Sequence, residues 1–385
     1  MKHLFSKGRA AVYVSALLLI ILLLIPTGYE DAVNYKDKIK CAAEVVATNN
    51  DSIIDTGLVR SGEQTCIVRM REGKFRGQEA EAYNLLNGSL ENDKIFEVGD
   101  VAQVVITYQG DEIQSVNMID HFRITKEIVL AALFILVLIG VAGKTGIRAI
   151  LSFAVTVLMI WKILIPLYLK GYQPVLIGFL ITGILTVIII SLVYGYERRT
   201  LAAVCGSMAG LLVTAVTGAL FTDIFRIHGA IMPYSESLLY SGYANLNLTQ
   251  IFMASIFIGS SGAVMDLSVD ITSAVYEVIC KKPDITWKEA ARSGMNVGRA
   301  AMGTMTTTLL LAYSGGYVTL LMVFMAQGTP VVNILNYKYV ASEILDTIVG
   351  SMGLVTVAPL TALCAGWLLT RSKKDQEDRI STSLK

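Results

Sequence analysis

Apolar runs recur along this chain at the length that crosses a bilayer, and short charged clusters separate them. A hydrocarbon core about 30 Å thick takes roughly 20 residues of helix. Spans of this kind are predicted at 10–26, 127–143, 149–169, 175–194, 200–221, 249–272, 302–325 and 341–369. Charged residues make up 16% of the chain, against about a quarter in a soluble domain. The charge is concentrated in residues 27–126. The expected fold is therefore an α-helical polytopic membrane protein of about eight transmembrane helices carrying one small soluble insert. The expected divisions are an anchor at 1–26, the insert at 27–126, a seven-helix membrane block at 127–370 and a tail at 371–385.

The insert alternates strand-like runs with turn residues. Ala42–Thr48, Thr65–Met70, Val101–Tyr108 and Ile113–Met118 read as strands; Asn87-Gly88, Gly99-Asp100 and Gly110-Asp111 read as turns. About five short strands suit a small OB- or SH3-like β-barrel. Seventeen acidic and 11 basic side chains give the insert a net charge of −6, and the whole chain is near neutral. Nucleic acid is thus not an expected partner.

Orientation follows from Lys and Arg. With the N-terminus inside, the cytoplasmic segments hold 17 basic residues and the short outer loops hold Lys170, Arg226 and Lys338. That places the insert outside the cytoplasm and both termini inside. Lys2, Lys7 and Arg9 before the first run resemble a signal peptide. Pro26-Thr27-Gly28 follows in place of a small-residue cleavage site, so an uncleaved anchor is expected.

Motifs that suggest enzyme chemistry are incomplete. Gly143-Lys144-Thr145 lacks the earlier glycine of a P-loop, since Leu138 stands there. Gly259-Ser260-Ser261-Gly262 matches an intramembrane serine-protease pattern, but the last histidine, His228, precedes it and no base follows. Close helix packing or a helix break is the expected role of those small residues, and packing that of Gly206-x-x-x-Gly210. The five cysteines form no C-x-x-C pair, which argues against a zinc ribbon or a thioredoxin-type site; with no nucleophile–base pair or metal set in the sequence, no metal site, cofactor or enzyme activity is expected. Cys41 and Cys66 share the insert and would pair there if an oxidising space brought them together.

The polar residues of the sixth and seventh spans are the candidate transport pathway. Asp266 and Asp270 are one turn apart and Glu277 returns to their face; Arg299, Thr304, Thr306 and Thr308 follow on the next span. A carboxylate facing lipid costs at least ~2.5 kcal/mol at the bilayer centre. Either the two aspartates bind a proton or cation beside a helix broken at Gly259–Gly262, or they sit at the inner interface with Arg299 paired to one of them. Glu343 and Asp346 read as solvated residues at the outer end of the last span. Asp284 or Thr286 is expected to cap an amphipathic helix leading into the seventh span.

Gly262-Ala263-Val264-Met265-Asp266, Ser293-Gly294-Met295-Asn296-Val297-Gly298-Arg299 and Met302-Gly303-Thr304-Met305-Thr306 with Leu309–Tyr313 resemble the YibE/F-like membrane protein family. The order of anchor, outer insert and seven-helix block also resembles it. Ala300 and Thr307 depart from the acid and the amide of the family pattern. The resemblance implies a multi-pass protein of a bacterial cell membrane and supplies no substrate. The functions expected are a permease for a small solute or ion, with a proton or cation as the candidate coupling ion, or a receptor or assembly factor that binds a protein partner through residues 27–126.

Overall fold

A computed structural model describes residues 2–30 and 38–383, with side chains described at 9–30 and 38–371. It divides into two units, residues 28–141 and residues 1–27 with 142–385.

The first unit is a β-barrel followed by the start of a helix. Its strands are β1 Ile39–Asn49, β2 Ile53–Asp55, β3 Arg60–Met70, β4 Glu79–Asn87, β5 Val101–Gln109 and β6 Glu112–His121. The sheet order is β1-β5-β6-β4-β3-β2, and β1 also pairs with β3. That second pairing closes a five-stranded ring, with β2 left as a short hairpin arm on β3. All ring pairings are antiparallel except β4 with β6. Of the two barrels expected, this Greek-key connectivity is the OB type. The four strands read from the sequence are all present. Sequence inspection missed β4, because Glu79-Ala80-Glu81-Ala82 is poor in the β-branched residues that mark strands; its burial nonetheless alternates along the strand.

Closure leaves an interior in which Val68, Val104 and Ile106 are fully buried. Two amides inhabit it. The Gln64 amide donates to Asn50 Oδ1 (2.8 Å) and to the Phe96 carbonyl (2.9 Å). Its oxygen accepts from the Phe96 N–H (3.0 Å) and from Asn84 Nδ2 (3.1 Å). Asn84 Nδ2 also donates to the Lys94 carbonyl (2.6 Å). These bonds tie the 88–100 loop across the barrel, where Phe96 plugs the interior.

Register decides against the Cys41–Cys66 disulfide that the sequence left open. Cys66 faces Thr48 across the β1–β3 ladder, seven residues along β1 from Cys41. Seven residues are about 23 Å of strand, far beyond the Cα separation of about 7 Å that a disulfide tolerates. Both thiols are free and buried. Burial pushes each up to about 11 from 9.0. A thiol pKa raised by folding stabilises the barrel fully below pH 9, and that stabilisation is lost as pH rises towards 11. Two pH units correspond to about 3 kcal/mol per thiol. Alkylation of Cys41 and Cys66 at pH 8 is therefore expected to be undetectable in the folded protein and rapid in denaturant, with barrel stability falling between pH 9 and 11. Labelling at equal rates in both states would contradict this.

In the second unit the helices are α1 Lys2–Leu24, α2 Ile124–Met159, α3 Ile165–Leu169, α4 Pro174–Tyr194, α5 Arg198–Ile224, α6 Ser235–Tyr240, α7 Leu248–Lys281, α8 Trp287–Ser314, α9 Val318–Ala326, α10 Val331–Asn336 and α11 Lys338–Ser383, with α2 beginning in the first unit. A π-helical turn, Ile160–Leu164, joins α2 to α3. Among the described residues, six stretches are long and apolar enough to cross a membrane: Ile124–Leu169, Pro174–Tyr194, Arg198–Ile224, Leu248–Lys281, Trp287–Ala326 and Lys338–Arg371. Arg9–Leu24 is a shorter apolar helix. The two spans expected at 127–143 and 149–169 form one helical stretch, interrupted at Gly143 by φ 54° and ψ −124°. Glycine tolerates that left-handed backbone, and other residues rarely adopt it.

Small residues set the packing of the central helices. Gly206 of α5 lies against Thr361 of α11, Gly210 against Val357, and Gly353 of α11 against Thr214 of α5. As α5 numbering rises that of α11 falls, so the two run antiparallel. Gly294 and Gly298 of α8 meet Val275 and Ile271 of α7, together with Ala362 and Ala358 of α11. The packing role expected for Gly206 and Gly210 is thus present, and α8 runs antiparallel to both α7 and α11. The start of α8 carries a full capping box between Thr286 and Glu289, which makes Thr286 the cap of the two expected. α11 runs on through Pro359.

Candidate functional site

The sixth span is not broken. α7 is continuous through Gly259–Gly262, which corrects the expected helix break. The physical reason lies in its neighbours. The Tyr313 ring from α8 fills the notch at Gly259, where an added Cβ would come 2.8 Å from the Tyr313 hydroxyl. Ser260 sits against Gly350 of α11 and donates to the Ile256 carbonyl (3.0 Å). Small residues here admit a tyrosine between three helices and leave the backbone helical.

That tyrosine marks the most unusual polar site of the bundle. The Tyr313 hydroxyl, Glu343 Oε1 and Asp346 Oδ1 are all buried without a hydrogen-bond partner. Glu343 and Asp346 are three residues apart and share one face of α11. Both lie within electrostatic reach of Tyr313 and of Tyr317, which follows α8 in a 3₁₀ turn. Glu343 and Asp346, expected as solvated interface residues, are corrected: each is part-buried, with one carboxylate oxygen wholly shielded. Sequence could not find this site, because its shielding comes from residues some 30 positions upstream that meet α11 only in the fold. The available signal was the i, i+3 pair of acids beneath an apolar run.

The residues expected to line the path lie elsewhere. Asp266, Asp270, Glu277, Arg299, Thr304 and Thr308 are exposed, and Thr306 is part-buried. The threonine hydroxyls are spent on their own helix: Thr304 donates to the Ala301 carbonyl (3.0 Å), Thr306 to Met302 (2.9 Å) and Thr308 to Thr304 (3.0 Å). Among the described residues no ion pair joins Arg299 to Asp266 or Asp270, and none reaches Lys162. Near Asp270, Tyr194 reaches the Val269 carbonyl (2.5 Å) and Ser273 Oγ (2.7 Å). Arg199 stacks over Tyr276 at 4.3 Å and pairs with Glu197 at 2.7 Å. This latch fastens the turn between α4 and α5 to α7.

The barrel holds a cleft of about 320 Å³ between the β2–β3 hairpin and the 88–95 loop. Leu58 and Leu90, both largely exposed, stand at it. Asp93 shapes it by accepting from the backbone N–H groups of Asn87 and Ser89, which hold its carboxyl below the usual range. The Arg60 guanidinium does the same for Asp55. Among the described residues no group of three or more His, Cys, Asp or Glu side chains is arranged to hold a metal ion.

Helices of membrane-crossing length, joined in one chain to a small closed barrel, define a polytopic membrane protein that carries a β-barrel domain. Residues 130–371 match the YibE/F-like protein family, and the chain belongs to it. No curated protein and no solved structure matches the chain.

Proposed function

We propose that this protein is a multi-pass permease of the bacterial cell membrane for a small solute or ion, coupled to a proton or cation taken up at Tyr313, Glu343 and Asp346. One observation carries the reading: two carboxylates and a phenol converge inside the bundle with oxygens that have no donor. Each unsatisfied buried group costs about 1–3 kcal/mol, and more when charged. A proton or cation shared by the acids relieves that cost, and its release restores it. A group with two states of similar energy is what coupled transport requires.

The topology proposed has eight passes, with both termini cytoplasmic and the barrel outside. Ile124–Leu169 has 46 residues, about 69 Å of helix, which is twice what a hydrocarbon core needs. Divided at Gly143 it supplies two passes, and Arg9–Leu24 supplies another. The cytoplasmic segments then carry 17 basic residues against Lys170, Arg226 and Lys338 in the short outer loops, as the positive-inside rule requires.

In proteoliposomes with an enclosed pH-sensitive dye, imposed proton or cation gradients are expected to drive flux in the wild type. Glu343→Gln/Asp346→Asn is expected to lower it at least about tenfold while the protein stays monodisperse. Undiminished flux in that variant would remove the cluster from the mechanism. Loss of flux only in Asp266→Asn/Asp270→Asn would return the pathway to α7.

A second reading rests on the barrel cleft: a receptor or assembly factor holding a protein partner at Leu58 and Leu90. It gains if the wild type carries no flux and a stoichiometric partner co-purifies with the full chain but not with Leu58→Asp/Leu90→Asp.

A further inference from the structure

The cluster of Tyr313, Glu343 and Asp346 has apolar packing on one side and further phenols on the other. One turn before Tyr313 on α8 is Leu309, one turn after Gly350 on α11 is Leu354, and one turn after Ser260 on α7 is Val264. All three are buried in one apolar cluster, against which Tyr313 packs. In the opposite direction Tyr317 follows Tyr313 by four residues and Tyr339 precedes Glu343 by four. Tyr317 lies within electrostatic reach of Glu343, Asp346 and Tyr339. Both phenols are part-exposed, and Lys338, over the Tyr339 ring at 5.2 Å, is exposed. There is room beside Tyr317, since a Cβ at Gly315 or Gly316 would meet nothing within 4 Å.

The donor set decides which ion fits. Among the described residues no Lys, Arg or His forms an ion pair with either acid. Residues 248–265 of α7 include no titratable side chain. Neither do residues 218–221 of α5 or the turn Gly229–Ile231, which pack near Leu345 and Val349 of the same helix. The titratable groups that face the two acids are therefore each other, Tyr313, Tyr317 and Tyr339. A calcium ion takes about 6–8 oxygens, and sodium sites in transporters draw carbonyls from unwound helix. Here α7 is helical through Gly259–Gly262 and α11 through Gly350, so those carbonyls are engaged within their helices. A proton needs one carboxyl oxygen, and two neighbouring acids favour holding one, because both cannot readily be charged.

We propose that the ion taken up at this cluster is a proton, that it arrives from the end of the bundle where α11 begins, past Tyr339 and Tyr317, and that Val264, Leu309 and Leu354 close the way to the other end. In the proposed topology the open end is the outer one. The inference rests on the permease reading of the cluster, but its test does not use flux, so the two can fail separately.

The test uses the full-length wild type in sealed vesicles and dicyclohexylcarbodiimide, an apolar reagent that crosses membranes. It adds a protonated carboxyl across its C=N bond, the acid's proton going to nitrogen, and leaves a carboxylate alone. Mass spectrometry of the digested protein locates the adduct. An impermeant amine reagent on Lys338 reports which side of the membrane the open end faces. Labelling of Glu343 or Asp346 is expected to follow the pH on the Lys338 side, falling about tenfold per pH unit once the acids are mostly ionised. The pH on the opposite side should leave it unchanged, and so should added sodium or calcium at fixed pH. Protection by either metal at fixed pH overturns the proton assignment. Labelling that follows the pH of the opposite side overturns the direction of entry. Failure of both acids to react at any pH, with Asp266 or Asp270 labelled in the same sample, overturns the site. A wild type that labels as expected yet carries no flux would remove the permease reading and leave the proton site in place.

Discussion

Gly206→Ala is expected to remove much of the folded protein, although it adds one methyl group. The Cβ it introduces on α5 would lie 2.8 Å from the Thr361 backbone Cα and closer still to its side chain. Backbone cannot rotate away as a long side chain can, so α5 and α11 must separate. Overpacking in a well-packed core costs about 1–3 kcal/mol and occasionally more. Here the cost lies towards the upper end. Gly210 on Val357 and Thr214 on Gly353 belong to the same seam, and Thr361 also contacts Ser268 of α7 at 3.1 Å. Gly206→Leu is expected to give no monodisperse protein. Gly140→Ala is the control, since its Cβ would meet nothing within 4 Å and alanine favours helix by about 1 kcal/mol over glycine. Thermal unfolding in detergent, followed by gel filtration, should show Gly206→Ala melting well below wild type and Gly140→Ala at or above it. The double variant Gly206→Ala/Thr361→Gly should recover part of the loss, because it removes the side chain that clashes. If Gly206→Ala melts with wild type, the seam is not as close as described.

What was legible in the sequence is what local pattern encodes. Apolar runs marked the membrane helices because a bilayer demands a fixed length of apolar surface. Asp284 or Thr286 marked the start of α8 because a helix cap is a local device, and the structure uses Thr286, in a box with Glu289. The strands rich in Val and Ile were visible; β4, built on Glu and Ala, was not. The polar site was misplaced for a different reason. Asp266 and Asp270 stand out because they interrupt an apolar run, whereas Glu343 and Asp346 sit where one ends and so read as solvated. The second pair is met by Tyr313, seated over Gly259, and by Tyr317. That approach joins α8, α7 and α11 across long sequence separations. Register likewise decided against the Cys41–Cys66 disulfide, and spacing along the chain held no information about it.

Gln64→Met is expected to loosen the barrel by about 2–6 kcal/mol, the sum of about 1–3 kcal/mol for each of the two Phe96 backbone groups left without a partner. Methionine keeps the length and much of the volume of glutamine, so no large cavity forms and the effect isolates hydrogen bonding. Gln64 is fully buried, and its amide is saturated, with two bonds donated and two accepted. Removing it strands the Phe96 N–H and carbonyl and takes one acceptor from Asn84. Asn84 has no slack to absorb this, since its Oδ1 is already buried without a partner. The consequence should be local before it is global. The middle of the 88–100 loop loses both of its bonds to Gln64 and keeps the bond from Asn84 to the Lys94 carbonyl, while the ends of the loop stay tied through Gly88 to Arg60 and through Gly99 and Asp100 to Val45. Phe96 is then free to leave the interior. Hydrogen exchange on the intact protein should show the Phe96 amide and those of β3 and β4 exchanging at least about a hundredfold faster, with α5, α7 and α11 unchanged. Glu63→Gln, on the exposed side of the same strand, should stay within about 0.5 kcal/mol of wild type. Equal protection of Phe96 in Gln64→Met and wild type would mean that apolar packing of the ring alone holds the loop, and that the buried amides are dispensable.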